Sequence, residues 1–550
     1  MKRLKKAAAL FLSAVMTISV LAGCKGGNAD SNATTPSQSS VQTTTGTAAE
    51  DPLKEHVEIS LALWRIGEAL ADPGSKDDVR DTLYKKLNIT IKPMNITWDD
   101  YVQKIQVWAA SKQLPDAFAY SAVDGSTYGD WIKQGIIQAL PSDLSAYPNV
   151  KSTTEAEANI HYKYPLGDPN GKYYAVPRLK IKSSEIGALD FGVQIRKDWM
   201  EKVGITKDPE TFDEFLALMK AFAEKDPDGN NKNDTMGLAM YDAGYLQWIL
   251  QQFEPAAASS WTRDEENPGK WIPSFMTKDY LEGLKAIKRL YDEGAMDKDF
   301  ATLKGEEGED KMGSSKAGAY IHDIGFNTIS YIGAKYEKAN PGKKWADVVK
   351  ILKPLKNYKD GKYYRTESDI SWSETYINAK CDQKKVDRIL RLLDYALTDE
   401  GYNLLHFGIE GKDFKVESGN VVLTPQTDAA GKTIATDTLY PFVKCGFLAE
   451  WSGTHWNTPN STPEVKAMSQ EYLDWVMANA ELSDTDLGMN HLDVPSRNKA
   501  NFGAKDLIIQ CVLSENLEKE YAAQVAKYRA NGYDKLIEEM NAAAAQAGIK

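Results

Sequence analysis

The chain has 550 residues, of which 42% are hydrophobic and 26% are charged, and its formal net charge is −12. Roughly 500 residues follow the N-terminal segment, which is too many for one hydrophobic core, so we expect two or three lobes. The negative charge disfavours nucleic acid and anionic lipid as partners.

The first 24 residues combine a cationic start, MKRLKK, with a short apolar run and the sequence LAGC at residues 21–24. This order predicts a secretory signal over residues 1–23. LAGC resembles the lipobox of bacterial lipoproteins, which implies lipidation of Cys24; the alternative is an ordinary signal followed by an accidental cysteine. Residues 24–50 contain almost only Gly, Ala and polar residues, so we expect a disordered tether on the outer face of a membrane.

The number and spacing of the cysteines, together with the motifs that the sequence lacks, exclude several classes of protein. Cys381, Cys445 and Cys511 are an odd number with no metal-ligand spacing, so buried free thiols are expected. The sequence has no phosphate-binding loop of the Walker type, no dinucleotide fingerprint, no H-E-x-x-H and no G-x-S-x-G. The 13 Trp and 27 Tyr suit stacking on sugar rings, although each ring also has a place in the core as the alternative.

The first part of the body alternates strand and helix patterns. The periodicities predict a strand over 57–63, a helix over 77–87, a strand over 88–96, a helix over 98–111 and a buried strand over 114–122. A β-α-β-α-β order predicts a parallel sheet, whose ligands lie at the carboxyl ends of the strands.

Later patterns continue the α/β character and end in helices. The segment 171–179 is predicted as a hairpin or edge strand stopped by Pro177, and 189–196 as a strand that leads into a helix. Thr211 and Glu214 form a capping box for an amphipathic helix. Further helices are predicted over 280–293, 384–397, 463–480 and 504–532, and further strands over 316–323 and 364–378.

Several segments together resemble the extracellular solute-binding proteins of carbohydrate importers of the ATP-binding-cassette (ABC) type, in their long Gram-positive lipoprotein form. These segments are ISLALW, LPDAFAYS, GKYYAVPR, IRKDWMEKVGI, TFDEFLALMKAFAEKDPDGNNKNDTMGL, KAGAYIHDIG and FGIEGKDF. The resemblance implies an α/β fold of the two-lobed periplasmic-binding-protein-like type (type II), with hinge strands and a helical C-terminal part. It places lobe 1 at residues 52–188 plus 370–455 and lobe 2 at residues 190–365 plus 456–550.

The same resemblance implies a function without catalysis. A monomer would capture a carbohydrate, favoured as an oligosaccharide, in the cleft between the lobes and deliver it to an ABC permease. A surface polysaccharide-degrading enzyme, an adhesive surface lipoprotein, and a binding protein for a peptide or another small polar solute stay open as alternatives.

The segment D-P-D-G-N-N-K-N-D resembles a calcium loop of the EF-hand type. Its ligands would be Asp226, Asp228, Asn230, the backbone carbonyl of Lys232, and Asp234, because Ca²⁺ prefers six to eight oxygens. Asn231 replaces the usual Gly and Gly237 the usual bidentate Glu, so a solvated Asx turn is the alternative.

The expected solute contacts follow from the strand ends and the predicted crossings between lobes. They are Trp64, Arg65, Glu68, Tyr120, Asp124, Arg196, Trp248, His322, Asp323, Trp372, Glu374, Trp451 and Trp456. For Arg196, an ion pair that holds the hinge is an equal alternative.

Overall fold

The computed structural model describes residues 51–72, 74–98, 100–122, 126–166, 168–451, 458–459, 461–497 and 502–549. Cys24, Asp124 and Trp456 lie outside these residues, so the roles expected for them stay predictions. Within the part of the chain that is described, every helix is too short or too polar to span a lipid bilayer.

Strands and helices alternate through the first two thirds of the chain, and helices dominate the last third. The strands are β1 Val57–Ala62, β2 Ile89–Pro93, β3 Ala117–Tyr120, β4 Lys163–Tyr164, β5 Lys172–Tyr173, β6 Ala175–Leu179, β7 Gly192–Arg196, β8 Met236–Met240, β9 Trp261–Arg263, β10 Trp271–Pro273, β11 Ala317–His322, β12 Val349–Leu352, β13 Tyr363–Arg365, β14 Ser371–Ile377, β15 Phe414–Glu417, β16 Asn420–Leu423 and β17 Ala480–Leu482. The helices are α1 Ile66–Ala69, α2 Asp78–Leu87, α3 Tyr101–Ser111, α4 Ser126–Lys133, α5 Pro148–Thr154, α6 Lys197–Lys202, α7 Phe212–Glu224, α8 Gln247–Gln251, α9 Lys278–Asp292, α10 Gly305–Gly313, α11 Phe326–Ala339, α12 Trp345–Val348, α13 Gln383–Ala396, α14 Asp399–Phe407, α15 Thr436–Leu439, α16 Pro463–Asn479, α17 Ala504–Leu513, α18 Leu517–Tyr528 and α19 Asp534–Ala547.

The first sheet has the strand order β2-β1-β3-β14-β6. Strand β1 is parallel to β2 and β3, which confirms the parallel start predicted from the β-α-β-α-β order. Strand β14 is antiparallel to β3 and β6. The prediction that Pro177 stops its strand is wrong, because β6 continues through Pro177 to Leu179. Since β6 lies at the sheet edge, the missing N–H of Pro177 costs no ladder bond on the open side.

The second sheet has the order β12-β7-β11-β8, with β11 parallel to β8 and antiparallel to β7. His322 pairs with Gly192, so the end of β11 and the start of β7 lie at the same sheet edge. The predicted capping box is confirmed: Glu214 N–H donates to the Thr211 hydroxyl, and the Glu214 carboxylate accepts from the Thr211 N–H.

Two large hydrophobic cores surround the two sheets. The first core takes buried residues from 57–176 and 376–449. The second takes them from 193–355 and 489–544. A smaller cluster that includes Ala188, Leu189, Ile324 and Tyr472 lies apart from both. Each core therefore combines an early and a late part of the chain.

Three stretches of backbone bond to one another where the chain leaves the first sheet. The N–H of Lys180 donates to the carbonyl of Ile370 at 2.8 Å, and the N–H of Trp451 donates to the carbonyl of Leu179 at 2.7 Å. The N–H of Ser368 donates to the carbonyl of Ser184 at 3.3 Å. Segments 179–184, 368–370 and 450–451 thus form one bundle of connections between the two cores.

Substitution of Gly237 tests how closely the backbone packs around β8. A Cβ at this position in β8 would lie well inside van der Waals contact with the carbonyl oxygens of Ala295 and Met219. We therefore expect Gly237→Ala to lower the free energy of unfolding by about 1–3 kcal/mol, as overpacking does. Urea denaturation measures this value. Gly74→Ala is the control, because its Cβ would meet only the Asp72 side chain at 3.5 Å. Equal stability of both variants and the unchanged protein would contradict the packing.

Candidate functional site

A cavity of about 330 Å³ lies between residues of the first sheet and residues of the second. Trp372 and Trp451 line one wall, and Asp323 lies on the opposite wall beside the start of α11. The connecting residues Lys180 and Asp190 also line the cavity. The cavity therefore lies where strand ends from both sheets meet, as expected for a ligand site in open α/β sheets.

Five rings form what we call the aromatic cluster: Trp64, Trp98, Trp372, Phe447 and Trp451. Trp64 stacks on Trp98 at 4.7 Å and on Trp372 at 5.6 Å between ring centroids, and Trp451 stacks on Phe447 at 4.9 Å. Trp64 is fully buried, whereas Trp98 is 47% exposed and Trp372 is 38% exposed. Large apolar rings this exposed mark an interaction surface more often than a structural need.

The guanidinium of Arg178 lies directly behind the cluster and is 1% exposed. It donates hydrogen bonds to the Ser373 hydroxyl at 2.7 Å, to the Thr375 hydroxyl at 2.9 Å and to the Leu448 carbonyl at 3.2 Å. Burial lowers its pKa to about 10, so the group stays charged at neutral pH. Its carbon Cζ lies 5.7 Å from the Trp64 ring centroid. Arg178 therefore ties β6, β14 and the segment before Trp451 together beneath the rings.

The exposure of Trp372 has a local backbone cause. The register between β14 and β6 shifts between Ser371 and Glu374, and Ser373 has a positive φ of 68°. An irregularity of this kind redirects a side chain relative to the pleat. Trp451 also fixes the neighbouring backbone, since its Nε1 donates to the Trp372 carbonyl at 2.9 Å.

The side of the cavity that the second sheet contributes contains a carboxylate beside apolar residues such as Phe326 and Leu189. The Asp323 carboxylate accepts from the Gly325 N–H at 2.7 Å, just before α11 begins. Burial and, to a smaller extent, the nearby Asp190 raise the pKa of Asp323 to about 6. The Lys180 ammonium bonds Asp190 at 2.6 Å, so this pair largely neutralises itself. The cavity thus offers a carboxylate acceptor opposite apolar ring faces.

His322 lies beside this wall. Its ring stacks on Tyr241 at 4.4 Å and lies 4.5 Å from the ring of Tyr245. Burial lowers the pKa of His322 to about 4, which keeps the ring neutral at pH 7. A neutral imidazole in this position suits hydrogen bonding to an uncharged partner.

The structure brings only some of the sequence-predicted residues to the cavity. Trp372, Trp451 and Asp323 line it, and Trp64 supports the rings from beneath. Arg65 and Glu68 instead form an ion pair with each other at 3.3 Å, with Lys444 3.5 Å from Glu68.

Four of the expected contacts lie inside the protein. Trp248 is 1% exposed and packs on Phe215 in the second core, which leaves no ring face for a solute. Arg196 lies at the far end of β7 from Gly192, where Asp198 holds its guanidinium at 2.7 Å. This placement corrects the expected solute contact. Arg196 does form an ion pair, but its partner Asp198 lies in α6 and not in the connecting segments, so the pair does not hold the hinge.

Tyr120 and Glu374 are buried as well. The Tyr120 hydroxyl accepts from Gln106 at 3.2 Å, and its ring packs on Trp131. The Glu374 carboxylate accepts from the Tyr376 hydroxyl at 2.6 Å and the Tyr162 hydroxyl at 3.0 Å. Both positions support the first sheet from within, so contact with a solute at either is corrected.

Sequence reasoning missed Trp98, Phe447, Lys180 and Asp190. Trp98 follows β2 just as Trp64 follows β1, so the rule that selected Trp64 would also have selected Trp98. No comparable sequence signal marks Phe447, because only the fold brings its segment to Trp64.

Within the predicted calcium loop, backbone and side-chain N–H groups donate hydrogen bonds to the carboxylate oxygens of the loop itself. The N–H of Asn231 donates to Asp226 at 2.8 Å, and the Asn230 amide donates to Asp228 at 2.7 Å and to Asp234 at 3.0 Å. Burial raises the pKa of Asp228, and the hydrogen bond with Asp228 lowers the pKa of Asp226. The loop therefore gathers three acidic groups at one point.

A second cavity, of about 550 Å³, is larger but less suited to an uncharged ligand. It lies among residues such as Arg263, Asp279 and Lys359, all associated with the second core. Its charges pair with each other, for example Lys359 with Asp279 at 3.2 Å. The cavity between the sheets is the stronger candidate because it combines free aromatic faces with groups from both cores.

A family model and two relatives each match this chain over more than half of its length. Residues 65–403 match the family model for bacterial extracellular solute-binding proteins. Lipoprotein LipO of Bacillus subtilis is 29% identical over 364 residues, which cover 64% of this chain and 68% of LipO. The polygalacturonan/rhamnogalacturonan-binding protein YtcQ of the same organism is 26% identical over 342 residues, which cover 60% of this chain and 63% of YtcQ.

Two solved structures share the fold at low sequence identity. The alginate-binding protein AlgQ2 without calcium ion has a TM-score of 0.66 at 16% identity, covering 90% of this chain and 99% of AlgQ2. The S. pneumoniae ABC-transporter substrate-binding protein FusA, as an EF-hand mutant in complex with fructo-nystose, has a TM-score of 0.64 at 16% identity, with coverages of 90% and 99%. These likenesses confirm the predicted two-lobed α/β fold.

Arg178→Lys tests whether the buried guanidinium holds the cluster. A lysine ammonium keeps the charge but cannot reach three separated acceptors, so buried acceptors lose their donors. We expect the free energy of unfolding to fall by about 2–4 kcal/mol, together with a change in tryptophan emission. Arg289→Lys is the control, since Arg289 is an exposed partner of Asp213. Equal effects in the two variants would rule out the special role of Arg178.

Proposed function

Because the chain belongs to the bacterial extracellular solute-binding proteins, we propose that it captures a carbohydrate in the cavity between its lobes and delivers it to an ABC permease. The observation that carries this proposal is the half-exposed ring of Trp372, which lines the cavity together with Asp323 and has the half-exposed ring of Trp98 6.2 Å away. Sugar rings stack with their C–H faces on indole rings and place hydroxyl groups at the edge, where a carboxylate accepts hydrogen bonds.

We favour an oligosaccharide as the ligand. The exposed faces of Trp98 and Trp372 belong to separate rings whose centroids lie 6.2 Å apart, a spacing that suits more than one sugar unit. The charged pair Lys180–Asp190 neutralises itself, which favours a mostly uncharged chain of sugars. Relatives that bind polygalacturonan, alginate or fructo-nystose support the carbohydrate class.

Capture would proceed by closure of the lobes and not by catalysis. We place lobe 1 at 52–188 plus 370–455 and lobe 2 at 190–365 plus 456–550, with support from the two separate cores. A sugar in contact with both walls binds the closed arrangement more tightly than the open one, and this differential affinity drives closure. The closed monomer would be the form that the permease recognises.

The proposal includes a membrane anchor. Residues 1–23 would be removed as a signal, Cys24 would carry the lipid, and residues 25–50 would form the tether. The lipobox-like sequence and the lipoprotein relative LipO support this arrangement.

We further propose that the 226–234 loop binds Ca²⁺ in a structural role. Asp226, Asp228, Asn230, the Lys232 carbonyl and Asp234 would supply oxygens. The loop already holds the carboxylates of Asp226, Asp228 and Asp234 around Asn230 and Asn231, and a divalent cation bound among them would offset their mutual repulsion. The usual bidentate Glu would not fit at position 237, because backbone carbonyls occupy the place of its Cβ. Water would therefore complete the coordination shell of the calcium ion.

Trp372→Ala tests the sugar platform. We expect binding of the best oligosaccharide from a screen to weaken by about 1–3 kcal/mol, roughly 5- to 150-fold, because stacking on one aromatic ring is lost. Isothermal titration calorimetry measures the affinity. Trp475→Ala is the matched control, because Trp475 is a partly exposed Trp that packs against Lys353 away from the cavity. An unchanged affinity in Trp372→Ala would contradict the proposal that a sugar ring stacks on Trp372.

Asp228→Asn in combination with Asp226→Asn tests the calcium loop. Ca²⁺ at about 100 times its dissociation constant should stabilise the unchanged protein by about 2.7 kcal/mol and leave the double variant unaffected. Thermal unfolding with and without Ca²⁺ gives the comparison. Asp264→Asn alters a similar exposed Asx turn elsewhere and serves as the control. A calcium shift that persists in the double variant would place the ion at another site.

A further inference from the structure

A second group of ligand-type side chains lies far from the 226–234 loop in sequence. His161, Asp369 and His491 each offer one ligand atom, and these atoms lie within 4.8 Å of one another. His491 Nε2 is 3.0 Å from the Asp369 carboxylate. Both imidazole rings are 92% buried, with exposed fractions of 8%. Three such groups from distant parts of the chain converge at one buried point.

The hydrogen bonding of His161 leaves one of its ring nitrogens to act as a ligand. One ring nitrogen hydrogen-bonds the backbone of Ala158. The other, Nε2, is buried and has no hydrogen-bond partner among the described residues. A metal-binding histidine characteristically donates its second ring N–H to a backbone carbonyl, which fixes the tautomer and directs the lone pair toward the ion. An orphan imidazole nitrogen in a buried place otherwise costs free energy.

We infer that His161, Asp369 and His491 form a site for a divalent transition-metal ion of the zinc class. Two imidazole nitrogens and one carboxylate are a donor set that suits Zn²⁺ and neighbouring metals, with water in the fourth position. The set lacks the many hard oxygens that Ca²⁺ requires, so it differs in chemistry from the 226–234 loop. The Asp369 side chain is 22% exposed and gives the ion a path from solvent.

Binding requires a small rearrangement of the rings. The imidazoles of His161 and His491 now stack at 3.6 Å between centroids with planes 8° apart. Parallel rings direct their in-plane lone pairs alongside one another, so the rings must splay for both nitrogens to reach one ion.

The three ligands come from three structural units. His161 precedes Tyr162 of the first core, and His491 lies between Met489 and Leu492 of the second core. Asp369 precedes Ile370, whose carbonyl accepts the N–H of Lys180 in the connecting bundle. A bound ion would therefore link both cores at their connection and stabilise the arrangement that brings the ligands together. This inference does not rest on the proposed sugar.

The test uses the full purified chain, stripped of metals by a chelator and kept in excess Ca²⁺. Titration with Co²⁺ reports inner-sphere nitrogen ligands by visible absorption, and calorimetry with Zn²⁺ gives affinity and stoichiometry. We expect one ion per chain. His161→Gln, Asp369→Asn and His491→Gln should each weaken binding by about 100-fold or more, since loss of a ligand exceeds the loss of a supporting partner.

His56→Gln is the matched control, because His56 is exposed and bonds only polar side chains of lobe 1 such as Asn88. It should bind as the unchanged protein does. Asp369→Asn preserves the shape of the side chain, and circular dichroism without metal shows whether each variant is folded. Failure of the unchanged chain to bind Zn²⁺, or equal binding by folded Asp369→Asn or His161→Gln, would overturn the site.

Discussion

The hydrogen bonding of the buried Arg178 guanidinium is the interaction on which the aromatic cluster depends. Its donors reach two hydroxyls of β14 and one carbonyl of the segment before Trp451, so a single group fixes three chain segments that are distant in sequence. A charge removed from water is tolerated only where hydrogen bonds replace its hydration. The same bonds hold Trp372 and Trp451 close together, and their rings then cover Trp64.

The two walls of the cavity have different chemistry because they come from different cores. The first sheet contributes rings that its strand ends and a local irregularity in β14 bring to the surface. The second contributes the start of α11 and the carboxylate of Asp323. A ligand with apolar faces and polar edges satisfies both walls at once, and only while they face each other. In the proposed function, binding and lobe arrangement would therefore be linked through the bundle of connections around Ile370.

The sequence predicted the fold well where local signals agree with the tertiary structure. The parallel start of the first sheet, the Thr211 capping box and the α/β class follow from periodicity and caps. Pro177 was misjudged, because whether a proline ends a strand depends on its place at a sheet edge, which is a tertiary property.

The site was predictable only in part. Strand-end reasoning identified Trp64 and Asp323, but it could not separate Trp372, which is exposed, from Trp248, which fills a core. Whether a Trp is exposed depends on which other elements pack over it. The pattern of apolar residues around a single Trp does not show this. Arg178 and the group around His161 gave no signal at all, because their partners lie more than 190 residues away in the chain.

The structure of the protein with a bound oligosaccharide tests the central claim most directly. We expect a sugar ring stacked on Trp372 or Trp98, with its hydroxyl groups facing Asp323. Arg178 should keep its hydrogen bonds behind the rings. A sugar found instead in the charged cavity beside Arg263 and Asp279, with the aromatic cluster unchanged and free of ligand, would contradict it.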